Sequence, residues 1–168
     1  MKFQLLVLLS VILSSCAGYQ LGGAKPPSLA AVNRISVSML ENGTLHPRAE
    51  AIATSAVTAA FVQNGTYRLS ELDRADAMLE GEVTSIIYSP LRGSRRDALT
   101  SEELTNTVSI NWRLKDARDP TRLLASGTSI GQSSFFVDSN LQTARQNALP
   151  DAFDRAAQNL ILRLASGY

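Results

Sequence analysis

The chain has 168 residues, 45% hydrophobic and 18% charged, with one Cys, one His and a formal net charge of +1. That length suits one compact domain, able to bury a sufficient core without disulfides or metal. A single Cys excludes an internal disulfide framework and a Cys-based zinc cluster, and a near-zero charge argues against a general nucleic-acid binder. Ser and Thr number 30, and the charged fraction lies below the ~25% usual for soluble domains. Part of the surface is therefore polar without being charged.

The N-terminus reads as an address followed by an anchor. Lys2 precedes an apolar run from Leu5 to Leu13, broken only by Ser10. That run is far shorter than the ~20 residues that span a bilayer, so it is the core of a signal peptide over residues 1–15. Leu13-Ser14-Ser15-Cys16 resembles the lipobox of bacterial lipoproteins, in which the Cys is acylated and becomes the new N-terminus. The other reading is an ordinary secretory signal that happens to end near a Cys. Several acyl chains would satisfy the more-than-one-anchor condition for stable membrane attachment. Ala17, where an Asp would direct inner-membrane retention, favours the outer membrane by the same resemblance. Without Lys2, 15 basic and 15 acidic side chains remain, 13 of the basic ones Arg.

Residues 16–31 read as a Gly- and Pro-containing tether ahead of a single domain over 32–168. Ile35, Val37 and Met39 alternate with Arg34, Ser36 and Ser38, as in a half-buried strand. Asn42-Gly43 supplies a turn, and Pro47 suits the first position of a helix. The helix carries an Ala-rich stripe (Ala49, Ile52, Ala53, Ala56, Ala60, Phe61) and stops at Gly65. Four strand-like runs follow. Tyr67–Ser70 is short, and Ala77–Ser89 alternates around Leu79, Val83 and Ile87. Leu104–Lys115 sets Leu104, Val108, Ile110, Trp112 and Leu114 against Thr105, Thr107, Ser109, Asn111, Arg113 and Lys115. Leu123–Val137 has Gly127 and Gly131 as points of bulge or close approach. A last helix begins at the capping box Ser139/Gln142 and is kinked or restarted at Pro150. Its stripe is Leu149, Phe153, Ala156, Ala157, Leu160, Ile161 and Leu164, with Asp151 and Arg155 paired outside it. The order β-α-β-β-β-β-α predicts an α+β two-layer sandwich, with helices on a mostly antiparallel sheet.

Catalytic chemistry is missing. His46 stands alone, so no triad or multi-His metal site can form, and Cys16 is committed to lipid. Glu80 and Glu82 share a strand face with no nucleophile beside them. No Gly-rich phosphate loop lies between strand and helix. The chain therefore reads as a non-enzyme with no cofactor and no metal. Two constellations remain. Arg92, Arg95 and Arg96 fall in the loop between the two long strands, either an anion-reading tip or a charged hairpin end. Ser36 and Ser38, with Thr105, Thr107, Ser109 and Asn111, form an uncharged sheet face. Such a face can be buried against a partner without desolvating charge, and it also fits the β-propensity of Thr on an exposed sheet.

The run Cys16-Ala17-Gly18-Tyr19-Gln20-Leu21 resembles the start of the lipopolysaccharide-assembly lipoprotein family, LptE. Met39–Asn42, Ala75–Gly81, Phe135–Asp138, Asp154–Ala157 and Asn159–Leu164 extend the resemblance in order along the mature chain. The central loop departs from the family, being longer and richer in Arg. The resemblance implies two helices on a four-stranded sheet, with Tyr67–Ser70 pairing only briefly. It implies a plug seated within the outer-membrane β-barrel LptD, contacting lipopolysaccharide through basic residues. By loop position these are Arg92, Arg95 and Arg96, and Arg145 matches a basic helix position. The domain would lie on the periplasmic side or inside the barrel lumen. A competing class is an auxiliary lipoprotein of an ABC-type lipid transporter, which would share a similar α+β layout.

Overall fold

The computed structural model describes residues 25–90, 103–136 and 140–166. The segments carrying Cys16 and Arg92, Arg95 and Arg96 lie outside these residues. Among the described residues there are six strands: β1 (Arg34–Val37), β2 (Glu41–Asn42), β3 (Arg68–Leu69), β4 (Ala77–Pro90), β5 (Glu103–Asp116) and β6 (Leu123–Phe136). Two α-helices, α1 (Ala49–Asn64) and α2 (Leu141–Ser166), and short 3-10 turns at Pro27–Leu29 and Leu72–Arg74 accompany them.

The sheet runs β3-β1-β4-β5-β6, with β2 also paired to β4. This corrects the expectation of a mostly antiparallel, four-stranded sheet. β1 is parallel to both β3 and β4, β2 is parallel to β4, and only β4–β5–β6 form an antiparallel meander. Alternation reveals a strand but not its direction. Here α1 is the crossover that returns the chain to lie parallel beside β1.

The core forms between one sheet face and both helices. Leu104, Val108, Ile110, Trp112 and Leu114 of β5 are all buried, as their alternation predicts. So is the entire α2 stripe from Leu149 to Leu164. α2 runs unbroken through Pro150, whose missing N–H costs one helical bond. The Asn140 Oδ1 accepts from the backbone N–H groups of Gln142 (3.1 Å) and Thr143 (3.2 Å) and so caps it, while the expected cap Ser139 lies outside the described residues. α1 begins at Ala49, two residues past Pro47, and ends at Gly65 with φ 70°, a left-handed cap. Packing reaches back into the stretch read as tether: Leu29 is 1% exposed and belongs to the core.

Two glycines mark close approach. A Cβ on Gly131 would strike the Ala152 carbonyl oxygen and the Ala156 nitrogen, so α2 rests its backbone directly on β6. A Cβ on Gly127 would lie 2.8 Å from the Trp112 ring, whose Nε1 donates to Ser129 Oγ at 3.0 Å.

Two expected faces are revised. β1 stops at Val37, so Met39 is exposed and Leu40 enters the core in its place. In β4 the register shifts between Val83 and Ser85. The bulge turns Ile87 outward, 56% exposed, and brings Ile86 and Tyr88 to the helix side.

Candidate functional site

The sheet face away from the helices is built from rows of cross-strand neighbours. Moving along β4, β5 and β6, the rows are Glu80/Arg113/Ser126, Glu82/Asn111/Thr128, Ser85/Ser109/Ile130, Ile87/Thr107/Gln132 and Ser89/Thr105/Ser134. The face is charged at one end, where Lys115 Nζ meets Glu80 Oε2 at 2.6 Å. Beyond Glu82 these rows carry no charge until Glu103. Thr128 donates to Asn111 Oδ1 at 2.7 Å, and Ile87 and Ile130 stand half-exposed among hydroxyls and amides. The expected docking residues are thereby placed. Thr105, Thr107, Ser109 and Asn111 share this face, Thr105 being buried. Ser36 lies on the same face beside Met78, at the charged end, with Ser38 just beyond β1. The six residues therefore form two separate groups.

On the helix side charge is missing from α1 but not from α2, whose exposed residues include Asp151, Asp154, Arg155 and Arg163. α1 contains no charged residue after Glu50, and its solvent side presents Ala51, Ser55, Ala59, Val62 and Gln63. Between the helices, Val62's neighbours Gln63 and Asn64 face Gln158, Ile161 and Leu162 across a shallow cleft.

Charge collects where the chain enters the domain. Asp76 accepts hydrogen bonds from the backbone N–H groups of Asn33 (3.0 Å) and Arg34 (2.9 Å) and pairs with the Arg34 guanidinium at 3.7 Å. These backbone bonds, ahead of the Arg34 charge, hold its carboxyl below the usual range. Asp116 and Asp119 organise the β5–β6 turn at this same end.

A polar cluster occupies the other end, where residues 91–102 join β4 to β5. Tyr88 of β4 lies directly across from Asn106, and Asn106 from Ser133. The Arg145 guanidinium of α2 stacks 4.8 Å from the Tyr88 ring centroid. Phe135 meets the same ring edge-on at 6.2 Å. The Tyr88 hydroxyl and His46 Nε2 are 3.0 Å apart. Burial raises the Tyr88 phenol pKa, and the Arg145 charge opposes that shift. Asn106 is 0% exposed, and both its amide atoms lack a partner among the described residues. Arg145 thus joins a defined cluster. Tyr88, His46 and Asn106 were not found from sequence: the bulge hid the side Tyr88 takes, and Asn106 interrupts an otherwise apolar face.

Among the described residues no group of three or more His, Cys, Asp or Glu side chains could hold a metal ion. What the fold presents is a set of binding surfaces: two helices on one side of a mixed sheet, an uncharged outer sheet face beyond Glu82, an uncharged solvent side of α1, and a polar cluster around Arg145 at one end. The chain belongs to the LptE family of lipopolysaccharide-assembly proteins, whose profile matches residues 32–164. Members are non-enzymatic outer-membrane lipoproteins of lipopolysaccharide transport, and this chain is accordingly a binding and assembly protein. Association with that transport machinery and an outer-membrane, lipid-anchored location follow from the family.

Solved structures agree on the fold alone. Protein XCC0632 from Xanthomonas campestris superposes with a TM-score of 0.54 at 17% identity, over 88% of this chain and 93% of its own. A minor lipoprotein from Acinetobacter baumannii gives 0.52 at 15% identity, over 80% and 94%. A lipoprotein from Caulobacter crescentus CB15 gives 0.50 at 19% identity, over 76% and 88%. No curated protein sequence matches the chain.

Proposed function

We propose that the domain is the plug and assembly factor of the lipopolysaccharide-translocating barrel LptD, anchored through Cys16 and enclosed by the barrel wall. The observation that carries this is the absence of charge on the outer sheet face beyond Glu82 and, on the helix side, along the solvent side of α1, with the exposed charges of that side confined to α2. A domain docked on a flat partner needs one such face. Enclosure needs them on opposite sides, because each charge taken out of water costs several kcal/mol. Hydroxyl and amide groups can instead exchange water for a polar lumen at little net cost.

The direction of the strands supports contact with lipopolysaccharide. The chain enters beside Asp76 at the start of β4, and the loop bearing Arg92, Arg95 and Arg96 joins the sheet after Pro90. Fourteen strand residues at ~3.3 Å each separate the two ends by about 45 Å. Cys16 lies nine residues before Lys25 in sequence, a reach of at most about 30 Å. The tether and the Arg loop therefore join the domain at opposite ends of β4. Guanidinium groups of that loop would pair with lipid phosphates through charge-assisted bonds.

Co-purification of the full chain with a large outer-membrane barrel in mild detergent tests the reading. A stable complex is the expected result; recovery of the monomer alone would overturn it. Recovery with an inner-membrane ABC transporter would support the competing class.

A further inference from the structure

Arg145 is held in place by an aromatic platform. Its guanidinium lies 4.8 Å over the Tyr88 ring, while its Nε is buried with no hydrogen-bond partner among the described residues. Stacking, not hydrogen bonding of that nitrogen, therefore sets where the cation sits. The platform is itself fixed on two sides. Phe135 of β6 packs edge-to-face against it at an interplanar angle of 88°, and the hydroxyl contacts His46 Nε2 at 3.0 Å. His46 belongs to a turn fastened by Asn42, whose Nδ2 donates to the His46 carbonyl at 2.9 Å and whose Oδ1 accepts from the Thr44 N–H at 3.0 Å. The chain Asn42–His46–Tyr88–Arg145 thus joins the turn before α1, the end of β4 and the first turns of α2.

We infer that Tyr88 is a positioning residue for Arg145, fixing the guanidinium at the loop end of the sheet so that it meets an anionic headgroup already oriented, with His46 fixing Tyr88. The inference rests on the reading that Arg145 contacts lipopolysaccharide. An unsupported Arg side chain surrenders rotamer freedom when it binds; a stacked one has surrendered it on folding. Removing the platform therefore weakens binding without removing the charge.

The test measures lipopolysaccharide affinity of the full chain in complex with its barrel, for Arg145→Ala, Tyr88→Leu, Tyr88→Phe and the Arg145→Ala/Tyr88→Leu double variant. Tyr88→Leu is expected to bind about threefold to tenfold more weakly. Tyr88→Phe keeps the ring and its Phe135 contact but loses the His46 contact, so its binding should fall between wild type and Tyr88→Leu. In the Arg145→Ala background, Tyr88→Leu should cause no further loss. A second readout needs no ligand: Arg145 side-chain protons should carry an upfield ring-current shift in wild type and Tyr88→Phe that Tyr88→Leu abolishes. Tyr88→Leu binding as tightly as wild type, or weakening both backgrounds equally, would overturn the positioning role while leaving the ligand reading intact. Arg145→Ala binding as tightly as wild type would overturn the ligand reading, and the inference with it.

Discussion

Gly131→Ala tests how closely α2 is seated on the sheet. The added Cβ would overlap the Ala152 carbonyl oxygen and the Ala156 nitrogen and lie 2.9 Å from the Ala156 Cβ. The first two are backbone atoms of a helix whose apolar stripe is buried against the sheet, so no flexible side chain can swing aside. α2 must lift off β6, opening gaps around Phe153 and Leu160, both 0% exposed. Overpacking of this kind costs about 1–3 kcal/mol, and a backbone obstacle places it at the upper end. For a domain of this size each kcal/mol lowers Tm by about 4 °C, so a fall on the order of 10 °C is expected. Gly127→Ala provides the contrast, since its obstacle is mainly the Trp112 ring, which can tilt. Thermal unfolding followed by circular dichroism measures both. A Gly131→Ala variant melting within about 1 °C of wild type would refute the direct seating of helix on strand.

Asp76 predicts a pH dependence. Backbone N–H groups and then Arg34 depress its folded pKa, so its contribution is complete above the unfolded value near pH ~4 and is lost as pH falls through the folded value. Asp76→Asn should therefore lower stability at neutral pH and flatten the acid limb of a stability–pH curve; an unchanged acid limb would contradict the assignment. The triple change of Arg92, Arg95 and Arg96 to Ala is expected to weaken lipopolysaccharide binding with Tm unchanged. Unaltered binding in that variant would remove the loop from the site.

Much of the fold is legible in the sequence because burial imposes its period. The β5 alternation, the α2 stripe and the stop at Gly65 each follow from one residue class recurring at one spacing. Strand direction was not legible, since parallel and antiparallel strands with one buried face share the same alternation. Nor was the β4 bulge, where a single inserted residue exchanges the sides of Ile87 and Tyr88. That exchange conceals the aromatic platform under Arg145. The uncharged sheet face was readable on β5, but Ser36 and Ser38 proved to lie at its charged end, which only the pairing of β1 with Met78 reveals. The uncharged side of α1 could have been found by asking where charge is missing after Glu50; its Ala-rich stripe was read instead as a packing surface.

Enclosure is tested most directly by placing a photo-crosslinking amino acid at Thr107 on the outer sheet face, at Ala59 on the solvent side of α1, and at Arg118 in the charged β5–β6 turn, each in the full chain in cells. Crosslinks to the same barrel are expected from both Thr107 and Ala59, two positions on opposite sides of the molecule. Crosslinks from one of these faces only, with the other reaching no barrel, would describe a flat docking contact and contradict the plug.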